Sequence, residues 1–169
     1  MTSSSAIPRK GEVLVARLFS FGTEAQAKLL LGVDALANAV RITHGPAGGT
    51  VLLDRESAAP KSTRDGASVA EEIDIEDRFG RLGVQVMRKA AVSVRERTGD
   101  GSTTAMVLAQ AIAHEGLRLV AAGLNPIDLK RGIDLAARRV DEALASAARH
   151  VEAPAEIERI ARIAANGDQ

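Results

Sequence analysis

Three polar stretches that each contain glycine carry the side chains with which this chain could do chemistry. The strongest is Thr98-Gly99-Asp100-Gly101-Ser102-Thr103-Thr104, which opens directly into an apolar run with helical spacing. A helix N-terminus presents unpaired backbone N–H groups and about half a positive charge, which suits phosphate oxygens. Glycines on both sides of Asp100 let the backbone approach a ligand closely, and three consecutive hydroxyls add donors. A carboxylate repels a bare phosphate, so the sensible task for Asp100 is to hold Mg2+ bridging phosphates. The same residues also fit an ordinary helix cap, because Asp, Ser and Thr commonly precede apolar helices. Spacing by itself leaves both readings open and leans towards the cap.

The second stretch is Thr43-His44-Gly45-Pro46-Ala47-Gly48-Gly49, a glycine-rich turn between a helix and a strand. As a helix C-terminus it has the wrong dipole end for an anion, so only its loop amides could help. It lacks the lysine of a P-loop. The third is Arg64-Asp65-Gly66-Ala67-Ser68, where a cation, a carboxylate and a glycine follow a strand. Arg64 could neutralise a phosphate, and Asp65 could contact metal or orient a water. Taken singly, the second reads as a tight connection and the third as a surface turn. His44, His114 and His150 have no ligand-like spacing and read as surface or helix-face residues.

Long helices must position these stretches. Leu29, Val33, Leu36, Ala37 and Val40 recur on one helical face, and the run stops at the glycines and proline after Thr43. Thr50 to Leu53 reads as a strand and Ser62-Thr63-Arg64 as its hairpin partner, with a turn over Asp54 to Pro60 and a chain break at Asp65-Gly66. A second helix is expected from Ile75 to Arg97, with Phe79, Gly83, Val86, Met87, Ala90, Ala91 and Val94 on one face. A third starts inside the Asp100 loop and presents Ala105, Leu108, Ala109, Ile112, Gly116, Leu119 and Val120. Asn125-Pro126-Ile127-Asp128 has the form of a helix start, with Asn as cap and Pro in the first turn. The helix it opens would be on the order of 35 Å long. Pro154 separates it from a shorter helix through Ile157, Ile160, Ala161 and Ala164, closed by Asn166-Gly167. Before all of these, Met1 to Gly11 is polar and Ser-rich, and Val13 to Val15 with Leu18-Phe19 could form a strand or strap.

Composition narrows the function classes. The 169 residues are 46 % apolar and 26 % charged, a globular balance. Their 22 basic and 22 acidic side chains cancel and show no basic cluster, so nucleic acid and anionic membranes are not expected partners. No run approaches the ~20 apolar residues of a membrane span, and the start lacks a signal-peptide core, so the expected location is cytoplasmic. Cysteine is absent, which excludes disulfides and cysteine-ligated zinc. With only three Phe and no Tyr or Trp, the core must come from Ala, Leu, Ile and Val in close-packed helices.

In order, these segments resemble the group I chaperonins, the bacterial GroEL type. The likeness runs through Leu30-Leu31-Gly32-Val33, Thr43-His44-Gly45-Pro46, Val51 to Asp54, Arg64 to Ala70, Gly99 to Ala105, Val107 to Ile112 and Ala121 to Asp134. It spans about nine-tenths of the chain, everything after the first fifteen or so residues. The resemblance implies a mainly α chaperonin equatorial-domain-like bundle of long helices with a small β-hairpin, incomplete without its C-terminal half. It divides the chain into a flexible tail (1–15), the N-terminal half of an ATP-binding equatorial domain (16–151) and the start of an intermediate, hinge domain (152–169). It also implies the cofactors ATP and Mg2+. Asp100 would hold the metal, and Gly101, Ser102, Thr103 and Thr104 the phosphates. Thr43, Gly45 and Pro46 would form the first nucleotide-binding turn, Arg64 would meet phosphate, and Asp65 would serve hydrolysis.

Several positions depart from the family pattern. His44 stands in place of Leu, Ala47 and Gly49 in place of Lys and Arg, Arg64 in place of a phosphate-binding Lys, and Ser102 in place of Thr. Arg64 keeps the charge without the compact ammonium geometry. The implied partners are homo-oligomeric ring subunits, with unfolded clients and a co-chaperonin lid bound through domains this sequence does not contain. The carboxylate that activates water in the family is also absent from it. The expectation is therefore a truncated or partial subunit of an ATP-dependent folding chaperonin that does not turn over ATP by itself. The competing expectation is a non-catalytic chaperonin-like remnant acting as an oligomer-interaction module.

Overall fold

The computed structural model describes residues 18–45, 47–55 and 59–164. The tail, the Val13 to Val15 part of the strap, Pro46, the turn at 56–58 and the Asn166-Gly167 cap lie outside the described residues, while Leu18 and Phe19, the rest of the strap, are exposed and in no strand. Within them the order is α1 (Gly22–Arg41), β1 (Val51–Leu53), β2 (Lys61–Thr63), α2 (Gly66–Glu72), α3 (Arg78–Thr98), α4 (Ser102–Ala121), α5 (Pro126–Ala147) and α6 (Pro154–Ala164). The chain is mainly α with one small antiparallel hairpin, as the sequence implies.

Helix α1 buries Gly32, Val33, Leu36, Ala37 and Val40, nearly the stripe read from its spacing, and leaves Leu29 at its margin. The hairpin pairs Val51 with Thr63, Leu52 with Ser62 and Leu53 with Lys61. Alternation then points Leu53 into the core and Leu52 into solvent. Asp65-Gly66 does not simply break the chain. Asp65 caps a seven-residue helix, α2, whose Ala67, Val69 and Ala70 are buried. Helix α3 begins three residues later than its periodicity predicts, because the Asp77 carboxylate accepts the Gly80 N–H at 2.6 Å and sets the start there.

Helices α1, α3 and α4 enclose one core, with α2 and Leu53 closing an end. Leu36, Val40, Val69, Val84 and Met106 are its largest fully buried side chains. No aromatic ring enters this core, but methionine does, at Met87 and Met106, where the composition argument named only Ala, Leu, Ile and Val. Glycine explains the tight crossing of α1 and α3. A methyl at Gly32 would strike the Gly80 carbonyl, and one at Gly83 would strike the Leu29 carbonyl. That approach turns Val84 inward and leaves Val86, expected in the core, exposed.

Helix α4 differs more from its predicted face. Met106 and Gln110 are buried and Ala109 and Ala113 pack on the core, whereas Leu108 and Ile112 are exposed. Two stripes of this helix satisfy the helical period. Packing against α1 and α3 selects the stripe of Met106 and Gln110, with Ala109 and Ala113 beside it. Asn125 caps α5 as its motif predicts, accepting the Ile127 N–H at 2.8 Å. Neither α5 nor α6 contains a buried residue.

Candidate nucleotide-binding site

The start of α4 is built by two glycines. Gly99 closes α3 at φ 77° and Gly101 stands before α4 at φ 86°, both in the left-handed region that other residues avoid. Asp100 between them is lifted out of both helices. The N-cap position of α4 is Gly101, with no side-chain cap hydrogen bond. The first intrahelical bond runs from Ala105 N–H to Gly101 O at 2.9 Å, so the N–H groups of Ser102, Thr103 and Thr104 have no partner within the helix. The cap reading of this motif is therefore not how Asp100 is used. Among the described residues its Oδ1 accepts only the adjacent Gly101 N–H, at 2.6 Å. The Thr98 hydroxyl lies 2.6 Å from the Asp100 carbonyl and holds the loop to the end of α3.

The other two stretches meet this helix end. A cavity of about 260 Å³ is lined by the Thr43–Gly45 turn, by Arg64–Gly66, by Asp100–Thr104, and by Ile163 and Ala164 of α6. The junction lies at Gly66, where an added methyl would collide with the Thr103 hydroxyl and come within 2.9 Å of the Thr43 hydroxyl. Only a glycine lets α1, α2 and α4 converge there. Thr43 is buried and donates its hydroxyl to Val40 O at 2.8 Å, which folds the chain out of α1. Gly45, at φ 77°, carries the turn on, and Gly49 N–H returns to Ile42 O at 2.7 Å. Pro46 of the same turn lies outside the described residues.

Arg64 and Asp65 serve the scaffold as well as the cavity. Arg64 Nη2 donates to Gly48 O at 2.7 Å, tying the turn after α1 to the end of β2. A guanidinium has five donors, so this bond leaves others for a ligand. Asp65 accepts from Ala67 N–H at 3.2 Å through Oδ1, and from Ser68 N–H at 2.9 Å and Ser68 Oγ–H at 2.7 Å through Oδ2. Burial pushes its carboxyl up, but the Ser68 and Ala67 hydrogen bonds and the Arg95 charge outweigh that and hold it below the usual range. Asp65 is thus a fixed anion, a poor proton acceptor at neutral pH.

No cluster of three or more acidic, His or Cys ligands occurs among the described residues. An all-protein metal cage is not needed here, because Mg2+ is commonly held by one or two carboxylates together with phosphates and water. The donors present fit that ion: one carboxylate, Asp100, beside an uncapped helix start.

A model of the TCP-1/cpn60 chaperonin family matches residues 36–169. The chain belongs to that family. Its fold is also similar to the crystal structure of the chaperonin gp146 from the bacteriophage EL 2 (Pseudomonas aeruginosa), determined in the presence of ATP-BeFx. That match has a TM-score of 0.71 and 28% identity, and covers 88% of this chain. This chaperonin chain spans about a quarter of the phage protein's length, 26% of it.

The described candidate site residues, drawn from three separate stretches, line one cavity. Sequence reasoning missed three of their companions. His44, taken for a surface or helix-face residue, stands in the cavity wall. Ile163 and Ala164 come from a helix read only as amphipathic, and nothing in its spacing pointed to the cavity. Among the described residues no helix is long and apolar enough to cross a membrane.

Proposed function

We propose that this chain supplies the phosphate- and Mg-binding half of the ATP site, and ring contacts, in a group I, ATP-dependent protein-folding chaperonin. The observation that carries the reading is the uncapped start of α4, open to a cavity whose other walls are the Thr43 turn and the Arg64-Asp65 corner. Gly101, Ser102, Thr103 and Thr104 offer backbone N–H groups and hydroxyls to the phosphates. Thr43 and Gly45 close the opposite side, and Arg64 adds a positive charge. Asp100 holds Mg2+, which when bound neutralises phosphate charge. Asp65 orients and balances charge near the phosphates and does not act as a free base, given its three hydrogen bonds.

In this reading residues 16–151 form the N-terminal half of the equatorial domain and 152–169 begin the hinge domain. Ring subunits are the direct partners, clients and lid engage parts beyond these residues, and the location is cytoplasmic. The chain alone turns over no ATP, and steady hydrolysis that Asp100→Ala abolishes would contradict that point. Calorimetric titration with Mg-ATP tests the site itself. Asp100→Ala is expected to weaken binding at least about tenfold, the loss of a charged ligand, and an unchanged affinity removes Asp100 from the metal role. One observation favours the second reading, an oligomer-interaction module without catalysis. Leu108, Ile112, Leu135, Val140 and Leu144 leave large apolar side chains exposed along α4 and α5.

A further inference from the structure

Gln110 is buried in the seam between α1 and α4 and lines no part of the nucleotide cavity. Its amide is fully engaged. Arg41 Nη2 donates to its Oε1 at 2.6 Å, and its Nε2 donates to Asp34 Oδ1 at 2.6 Å and to Asn38 Oδ1 at 3.3 Å. His114, one turn further along α4, places Nε2 2.7 Å from the same Asp34 oxygen. Burial pushes the Asp34 carboxyl up, but the Gln110 bond, His114 and the Arg41 charge outweigh it and keep Asp34 ionised. One side chain of α4 therefore grips three successive turns of α1.

The position of this grip matters more than its strength. Arg41 is the last residue of α1, two before Thr43. Gln110 lies eight residues after Ser102, roughly 12 Å along α4 from its open end. Around it, Leu36, Val40 and Met106 make contacts without direction, which tolerate sliding of one helix along the other. Hydrogen bonds do not tolerate such sliding, because they weaken steeply with misalignment. Both helix ends then run into the Gly66 junction, where Thr43 and Thr103 have no room for error.

We propose that Gln110 is a positioning residue for the nucleotide site: with Arg41, Asp34 and Asn38 it sets the axial offset that makes the Thr43 turn and the Ser102–Thr104 amides face one phosphate group. The proposal rests on the nucleotide reading of the cavity, and two readouts separate them. On the full chain, Gln110→Met keeps the volume and removes the grip. The double variant Asp34→Asn/Gln110→Glu exchanges donor and acceptor, so that the new carboxylate accepts from Arg41 and from the new amide.

Gln110→Met is expected to weaken Mg-ATP binding at least about fivefold by calorimetry, the equivalent of one lost hydrogen bond. It should also move the Gly101 and Thr103 amide resonances of the nucleotide-free protein while helical content stays unchanged. The double variant restores both. Arg41→Met, cut from the exposed end of the network, gives the same resonance shifts even if Gln110→Met folds poorly. Resonances that move in a chain whose wild type binds no Mg-ATP support the positioning role and overturn the nucleotide reading. Resonances that stay in place in both Gln110→Met and Arg41→Met overturn the positioning role whether or not Mg-ATP binds.

Discussion

Both carboxylate oxygens of Asp65 accept hydrogen bonds from the first turn of α2, whereas Asp100 gives only Oδ1 to the Gly101 N–H. The two acids share a cavity wall, yet only Asp100 retains an oxygen with no partner among the described residues. That difference makes Asp100 the metal ligand in this account and Asp65 a fixed charge. A second consequence concerns pH. The carboxyls of Asp65 and Asp34 both lie below their ordinary value of 3.8. A depressed carboxyl adds stability that is fully present above the unfolded pKa and lost as pH falls through the folded one. Thermal stability should therefore be flat near neutrality with respect to these groups and decline from about pH 4 downward. Asp34→Asn should flatten that decline in a melting series, and an unchanged slope would contradict the assignment. The glycines flanking Asp100 kept a ligand-binding reading open beside the helix cap, and the ordered resemblance of the surrounding segments, rather than spacing, favoured it. Gln110 was illegible, because a glutamine inside an apolar helix looks like any solvated residue until its partners 69 to 76 positions away are known.

At the scale of elements, long periodic segments and the three-residue strands of the hairpin were legible, while the shortest helix was not. The stripe of α1 and the Asn125-Pro126 start of α5 were read nearly as they stand. Helix α2 was missed because seven residues are too few to show a period and Asp-Gly is also a turn signal. The face of α4 was misjudged for a different reason. Periodicity ranks apolar stripes by hydrophobicity, while packing chose the stripe of Met106 and Gln110 flanked by Ala109 and Ala113, and that choice depends on how near α1 and α3 can come. The crossing of α1 and α3 offers a direct test. Gly32→Ala puts a methyl into the Gly80 carbonyl, in a place where backbone rather than a flexible side chain must yield. It should cost about 1–3 kcal/mol in chemical denaturation, as overpacking does. A variant as stable as the wild type would mean that the helices are not held this close.

For the whole molecule, the fold and the family agree. The chain spans 26% of the phage chaperonin it matches. Its core lies between α1, α3 and α4, and the side chains of α5 and α6 stay outside it. Exposed Leu108, Ile112, Leu135, Val140 and Leu144 make association the expected behaviour in solution. Sedimentation should show a mass that rises with concentration, and Leu108→Glu with Ile112→Glu should lower it; a strictly monomeric wild type would contradict this. The sequence could rank these residues as apolar but not say which would stay uncovered, because that depends on partners rather than on periodicity. The central claim concerns the open end of α4 and its cavity. Following backbone amide resonances while Mg-ATP is added tests it most directly. The account predicts saturable shifts centred on Gly45 and on Gly101 to Thr104, much reduced when Mg2+ is withheld or Asp100 is replaced by Ala. Shifts confined to other parts of the chain, or none at millimolar Mg-ATP, would contradict it.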